Sequence, residues 1–413
     1  LTDGTSYSFS VAISDAAGNA ATAHTSESFL YDVTAPSISN VVASWGDYLN
    51  AAEDNSAGTV TVTTLNAADS STVTVTGMGV TDTCSTSSNS CAATIEAAHL
   101  QALSDGTTYT ITVALSADAA GNTATSDTGD TFVYDVTAPG ITITASQVST
   151  GGSYNAAISV TATFDESMTG IADGEVTASG CSLSTLAGSG AVYTTTCTPS
   201  SDGLVTISVG ASVGTDAAGN ANAAATDFTY TYDSASPSAT ITSSASDPTN
   251  GATIEVTITF GQSVTGLVVS EVVVTGGSVT LSGSGATYTA TITPTADGTI
   301  TVNVAAGVAS DAAGNGNTIA SEFSIVSDQN DAPSITSTAV ATGTEDTAYS
   351  YSITATDADD GSPNSNTITL ACSTCPSWLT FSDAGSGSAT LSATPSDSAV
   401  GNNAVVLTAS DGD

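Results

Sequence analysis

The sequence predicts an all-β protein built of sandwich domains in tandem, and three observations carry that prediction. Its apolar residues are mostly Val, Ala and Ile, set among abundant Thr, Ser and Gly, which is the composition of strands and turns. Apolar and polar residues alternate: Ile254, Val256, Ile258 and Phe260 are separated by Glu255, Thr257 and Thr259, and Tyr109, Ile111, Val113 and Leu115 are spaced the same way. Period two means one face buried and one wet. Finally, the pentapeptide DAAGN occurs at Asp15–Asn19, Asp118–Asn122, Asp216–Asn220 and Asp311–Asn315, at steps of 103, 98 and 95 residues. Each step is the length of one sandwich domain.

A second marker closes each repeat: Asp32-Val-Thr-Ala-Pro36, Asp135-Val-Thr-Ala-Pro139, Asp233-Ser-Ala-Ser-Pro237 and Asp328-Gln-Asn-Asp-Ala-Pro333. Its first Asp lies 17 residues after the first Asp of DAAGN in all four copies, which predicts one rigid strand between them. Proline, with its fixed φ, starts each new unit. The expected domains are 1–35, 36–138, 139–236, 237–332 and 333–413. Residues 1–35 parallel the end of the next repeat, LTDGTSYSFSVAISDAAGNA against LSDGTTYTITVALSADAAGNT, so the chain is expected to open inside a domain. It stops at Ala409-Ser-Asp-Gly-Asp413 before any closing strand, and reads as an internal piece of a longer protein.

Charge narrows the function. The 413 residues contain no Lys or Arg and 40 acids, a net charge of −40. Without basic side chains there are no ion pairs, arginine clamps or polybasic patches, so nucleic acid and anionic lipid are excluded as partners. No apolar run approaches the eighteen or so residues of a membrane span, so no membrane insertion is expected in this segment. Affinity for cations remains. The acids are 31 Asp and 9 Glu, a skew toward the short carboxylate of turns and calcium loops.

The segment from Trp45-Gly-Asp-Tyr-Leu-Asn-Ala-Ala-Glu-Asp to the DAAGN and DVTAP markers resembles the bacterial immunoglobulin-like repeats of large surface adhesins and RTX-type proteins. Residues 139–236 and 237–332 resemble a sister class, through Phe164-Asp-Glu-Ser-Met-Thr-Gly and Phe260-Gly-Gln-Ser-Val-Thr-Gly, a Tyr-Thr-x-Thr-x-Thr-Pro strand and a Ser/Ala-Asp-Gly turn. The end of the chain is similar to bacterial cadherin-like domains, in Asn330-Asp-Ala-Pro333, Glu345-Asp346, Asp357-Ala-Asp359, Pro376-Ser-Trp-Leu-Thr-Phe381 and Ala409-Ser-Asp-Gly412. The resemblance implies immunoglobulin-like sandwiches in an elongated rod and an extracellular, cell-surface setting.

The six cysteines fall two to a region, Cys84/Cys91, Cys181/Cys197 and Cys372/Cys375, as disulfides outside the cytosol do. Aligning the sister repeats puts Gly277 opposite Cys181 and Ile292 opposite Cys197, so both cysteines are lost together, as bonded partners would be. Cys372 and Cys375 form a CxxC, but no βαβ unit activates a thiol there and no second CxxC or nearby His completes a zinc site.

Carboxylate and carbonyl oxygen are a calcium ligand set. In an immunoglobulin-like sandwich the last loop sits at the pole where the chain enters and the last strand runs to the opposite pole. The closing Asp of one domain is therefore expected to meet the DAAGN loop of the next: Asp32 with Asp118 and Asn122, Asp135 with Asp216 and Asn220, Asp233 with Asp311 and Asn315. Asp15 and Asn19 belong to the first loop. At the last joint Asp328, Asn330 and Asp331 would face Asp357, Asp359, Glu345 and Asp411, an arrangement that resembles cadherin linkers. The alternative is a plain turn, because Asp-Ala-Ala-Gly-Asn can close on itself, and both readings remain open. Asp54, Asp69, Asp165, Asp173, Asp202 and Asp297 read as solvated turn residues.

An enzyme is not expected. His24 and His99 have no triad context, and Asp165 and Glu166, adjacent on a strand, point to opposite faces and cannot flank one bond. Trp45, Trp378 and the tyrosines could offer a sugar platform, although Trp378 reads as core. The expectation is a calcium-stiffened extracellular stalk of a bacterial adhesin, partnered by calcium ions and flanking repeats. The alternatives are a module that binds host or matrix glycans, or a filament or surface-layer subunit.

Overall fold

The computed structural model describes residues 1–127, 129–358 and 367–411, nearly all strand and connecting loop. It divides into two compact units, residues 1–152 with 156–231, and residues 153–155 with 232–413. In the first unit, residues 1–35 form two antiparallel ribbons, Thr5–Tyr7 with Phe29–Tyr31 and Ser10–Val11 with His24–Thr25. Their alternating apolar face is uncovered: Phe9, Val11 and Ile13 are exposed.

Residues 36–138 form a sandwich. One sheet has the order Ser90–Ile95, Gly58–Leu65, Ser37–Ala43, and another Thr112–Leu115, Thr72–Thr76, Asp82–Ser85. Alternation decides the faces: Val60 and Val62 of GTVTVTTL are fully buried and meet Val73, Val75, Ile111 and Val113 in one core. Trp45 packs edge-on against Phe132, ring centroids 5.3 Å apart. Gly58 makes room for that indole, since a Cβ there would lie 2.4 Å from the ring. The continuous alternation from Tyr109 to Leu115 is divided between sheets, because Thr107–Thr110 pairs with Thr131–Tyr134 while Thr112–Leu115 pairs with Thr72–Thr76. One short helix, Ala97–Leu100, interrupts the β pattern, and His99 lies on it.

The next sandwich is centred on Ile158–Met168, which lies between Ile141–Ala145 and Ala187–Pro199 and has a register shift between Thr163 and Met168. Across from it Val176–Ser179 pairs with Gly203–Val209. In the second unit, Ile254–Val264 occupies the equivalent place between Ala239–Ser243 and Gly277–Pro294, with its own shift between Thr259 and Val264. The two central strands share one burial pattern, residue for residue. Residues 332–411 form a further sandwich, Ser334–Ile335, Tyr349–Thr356, Ser388–Ala393 and Thr380–Gly385 in one sheet and Thr369–Thr374 with Val406–Ser410 in the other.

Three disulfides join Cys84 to Cys91, Cys181 to Cys197 and Cys372 to Cys375. The first links strands of different sheets, whereas the second ties neighbouring strands of one sheet. Where the sister sandwich lacks that bond, a Cβ on Gly277 would lie 2.8 Å from Ile292 Cγ2. The buried isoleucine fills the space over the glycine, which explains why both cysteines changed together.

One expectation needs correction. The segment between the two markers is not a single strand; in the last three copies only its last four or five residues are, Thr131–Tyr134, Phe228–Tyr232 and Phe323–Ser327, and in the first it holds two short pieces, His24–Thr25 and Phe29–Tyr31. The Ala-rich stretch before them has few large side chains to pack as a strand, and in two repeats a buried amide holds it instead. Asn222 donates to the carbonyls of Gly210 and Ala223 at 2.9 and 2.7 Å and accepts from Val213 N–H at 2.9 Å. Asn317 does the same to Ala305 and Thr318, at 2.8 Å each.

Candidate metal centre

The DAAGN loop closes on itself before it meets anything else. In all four copies the Asp N–H donates to the Asn carbonyl, at 3.0 to 3.1 Å. The Asp carboxylate accepts from the Asn main-chain N–H at 2.8 to 2.9 Å and from the Asn side-chain amide at 2.9 to 3.1 Å. Gly18, Gly121, Gly219 and Gly314 take φ between 85° and 94°, the left-handed conformation that a side chain disfavours. The amides of Asn19 and Asn122 hold the carboxyls of Asp15 and Asp118 below the usual carboxylate range. Asp15 and Asn19 are exposed; Asp216, Asn220, Asp311 and Asn315 are buried.

The second side-chain hydrogen of the Asn reaches the linker that precedes its own sandwich. Asn122 donates to the Asp32 carbonyl at 3.1 Å, Asn220 to that of Asp135 at 2.8 Å, and Asn315 to that of Asp233 at 2.8 Å. Each expected closing Asp therefore lies at the expected loop, joined through its main-chain carbonyl. Its own carboxylate takes the N–H two residues on, at Thr34, Thr137 and Ala235. An Asp-Gly turn braces the following residue: Asp3 accepts from Val33 N–H at 2.8 Å, Asp105 from Val136 at 2.8 Å and Asp297 from Gln329 at 2.6 Å.

At one joint the carboxylates converge. Oxygens of Asp135, Glu166 and Asp216 all lie within 4.8 Å of one another, the one such group of three among the described residues. Glu166 reaches it from the irregular end of Ile158–Met168, while its neighbour Asp165 turns away to accept from Gly140 N–H at 2.8 Å. Burial pushes the Glu166 carboxyl up, and the charges of Asp135 and Asp216 add to it; burial also raises Asp135, with Asp216 contributing. At about 4.8 Å and an effective dielectric near 20, two ionised carboxylates repel by about 3 kcal/mol, and the chain offers no basic residue to offset it.

The donor set suits a hard cation. Calcium takes oxygen ligands at about 2.3–2.6 Å, so ligand oxygens of one ion lie up to about 5 Å apart, as these three do. Asn50 supports the loop from the preceding sandwich, donating to the Ala218 carbonyl at 2.8 Å, and Ala51 N–H donates to Asn220 Oδ1 at 3.2 Å.

The joint at Asp233 has the same frame and a different third residue. Gln262 stands where Glu166 does, and its Nε2 donates to Asp311 Oδ2 at 2.7 Å and to the Ala235 carbonyl at 3.0 Å. Asn155 donates to Asn315 Oδ1 at 3.1 Å. Near the chain end Asn330 donates to Asp411 Oδ2 at 3.1 Å. Asp328 and Asp357 are half-buried, Asp331 and Glu345 exposed, and Asp359 lies outside the described residues.

One turn residue differs from expectation. Asp54 is buried rather than solvated and accepts from the Tyr134 hydroxyl at 2.8 Å; burial and then Asp54 push that hydroxyl's pKa up to about 12. Asp69, Asp173 and Asp297 are exposed, and each accepts a main-chain N–H from a residue distant in sequence, Ser88, Leu186 and Gln329 respectively. Trp378 is half-buried outside the local core, lining an open cavity of about 540 Å³ with Tyr349, Tyr351 and Leu391. Trp45 is buried and unavailable as a platform. Glu166, Gln262, Asn50 and Asn155 were not expected at the joints. The available signals were the Asn-Ala-Ala string shared by residues 50–52 and 155–157, and the aligned Glu166 and Gln262.

The family model described as a bacterial Ig-like domain matches residues 135–232 and 233–327, and that of a putative Ig domain matches residues 332–413. No curated protein matches the chain. Solved structures that resemble it include part of a 1.5-MDa bacterial ice-binding adhesin, 19% identical, covering 70% of this chain and 99% of that one, with a TM-score of 0.35. Another is a Ca2+-stabilized, ice-binding adhesin of an Antarctic bacterium, 23% identical, covering 78% and 82%, TM-score 0.30. Invasin, a bacterial integrin-binding protein, is 13% identical, covering 90% and 79%, TM-score 0.32. Residues 135–327 thus belong to the bacterial Ig-like domain family and residues 332–413 to the putative Ig domain family, so the chain carries immunoglobulin-like β-sandwiches in tandem.

Proposed function

We propose that the chain is a stalk segment of a bacterial surface adhesin, in which calcium stiffens joints between successive immunoglobulin-like sandwiches. The observation that carries this reading is the convergence of Asp135, Glu166 and Asp216 in a chain with no basic residue. Asp135 comes from the linker, Glu166 and Asp216 from the sandwich that follows, so an ion held by all three would resist bending at that linker. The Asn220–Asp135 contact positions the linker without the ion, and the ion would supply the charge that the carboxylates lack. Within this reading the domains run 36–138, 139–236, 237–332 and 333–413, and the last is cadherin-like. The disulfides fit the extracellular setting, and no helix among the described residues is long and apolar enough to cross a membrane. Because a ligand of the folded joint stabilises it by mass action, chelation should lower the thermal midpoint and increase inter-domain bending. Small-angle scattering with calcium and with chelator tests this: equal maximum dimensions and equal flexibility would contradict the stiffening role.

A further inference from the structure

The two joints built on the sister sandwiches present the same loop, the same linker carbonyl and the same buried Asp, and of the positions at which their central strands differ, 166 and 262 are the pair whose side chains meet that Asp. Position 166 is Glu and position 262 is Gln, each half-buried at the irregular end of a strand with an identical burial pattern. Glu166 adds a third acceptor, and a third negative charge, to Asp135 and Asp216. Gln262 does the reverse.

Its amide nitrogen stands between two acceptors, the Asp311 carboxylate at 2.7 Å and the Ala235 carbonyl at 3.0 Å. Only the NH2 end of the amide fits there, because the oxygen end would face two oxygens. Those two bonds span the same elements that a cation would span at the other joint, linker on one side and DAAGN loop on the other. Asp311 Oδ2 also accepts from Asn315 Nδ2 at 3.0 Å, while its Oδ1 takes the N–H groups of Ala313 and Asn315 at 2.9 Å each. The carboxylate is thus met by donors on both oxygens, and the joint carries two carboxylates, Asp233 and Asp311, where the other carries three.

We infer that the residue at this strand position decides how a joint is locked: Glu166 makes its joint dependent on a divalent cation, and Gln262 substitutes an amide for the cation and makes its joint independent of one. This inference rests on the calcium reading for the Glu166 joint and stands on its own hydrogen bonds for the Gln262 joint. A segment carrying both locks keeps one fixed joint at any calcium level while the other follows the ion.

Hydrogen exchange on the full chain tests both halves, read at residues 216–220 and 311–315 in calcium and in chelator. In the unaltered chain, chelation should release protection at 216–220 and leave 311–315 unchanged. Gln262→Glu should transfer calcium dependence to 311–315, and Glu166→Gln should abolish it at 216–220. Gln262→Ala, measured in chelator, should raise exchange at 311–315 about tenfold or more, the loss of a charge-assisted hydrogen bond. Calcium-dependent protection at 311–315 in the unaltered chain would overturn the inference, as would a Gln262→Glu joint that ignores calcium or unchanged exchange in Gln262→Ala. Absence of any calcium response at 216–220, with the Gln262→Ala effect present, would instead defeat the calcium reading and spare the amide lock.

Discussion

The sandwiches around Ile158–Met168 and Ile254–Val264 are two solutions to one packing problem. Their central strands bury the same positions, and each sets a Phe edge-on to a Tyr, Phe164 with Tyr193 at 6.0 Å and Phe260 with Tyr288 at 5.9 Å, both at 84°. What differs is how the elements are fastened. One has a disulfide, Cys181–Cys197, where the other has Ile292 over Gly277; one has Glu166 facing acids where the other has Gln262 bonded to Asp311. The alternating apolar strands specify the sandwich, and fasteners of different chemistry can be exchanged on it without altering which residues are buried.

The largest expected effect of breaking this comparison lies in the core. Ile292→Ala removes a fully buried side chain that stands in for a covalent bond, and should cost about 2–5 kcal/mol of local stability, read as hydrogen exchange along Gly277–Pro294. Reducing Cys181–Cys197 should cost about 3 kcal/mol for a loop of about 15 residues, with strands 158–209 losing protection and the cysteine-free sister keeping it. Equal losses in both sandwiches would show that the bond does not act locally.

The acid cluster predicts a smaller effect of pH. With calcium chelated, Asp135 and Glu166 hold protons more tightly in the folded joint than in the unfolded chain, both raised first by burial and then by neighbouring charge. Their protonated forms therefore favour the folded joint at low pH, and that contribution is lost as pH rises through and above the ordinary carboxylate range. Protection at 216–220 should fall over that interval in chelator and be restored by calcium. Protection at 311–315, where Gln262 does not titrate, should lack that fall.

The sequence made the scaffold legible wherever a period reached the core. Ile254, Val256, Ile258 and Phe260 are all buried, as alternation requires, and the repeated markers located the joints between Asn122, Asn220, Asn315 and their linkers. Glu166 continues the inward-facing set of Ile158, Val160, Ala162 and Phe164, but alternation assigns a face and not what stands at the strand's end, so its meeting with Asp135 and Asp216 was not legible. Asp105 and Asp297 sit in ordinary Asp-Gly turns, and nothing in such a turn states that its carboxylate braces a linker some 30 residues away. Phe9, Val11 and Ile13 alternate as clearly as any core strand and are exposed, since periodicity marks a face and not its partner.

The central claim is that a calcium ion sits between Asp135, Glu166 and Asp216. Crystals grown in calcium and measured for its anomalous scattering test it most directly. The account predicts a peak about 2.3–2.6 Å from oxygens of all three carboxylates and none between Asp311 and Gln262. No peak at the three carboxylates, with Asp135 and Glu166 swung apart, would contradict it.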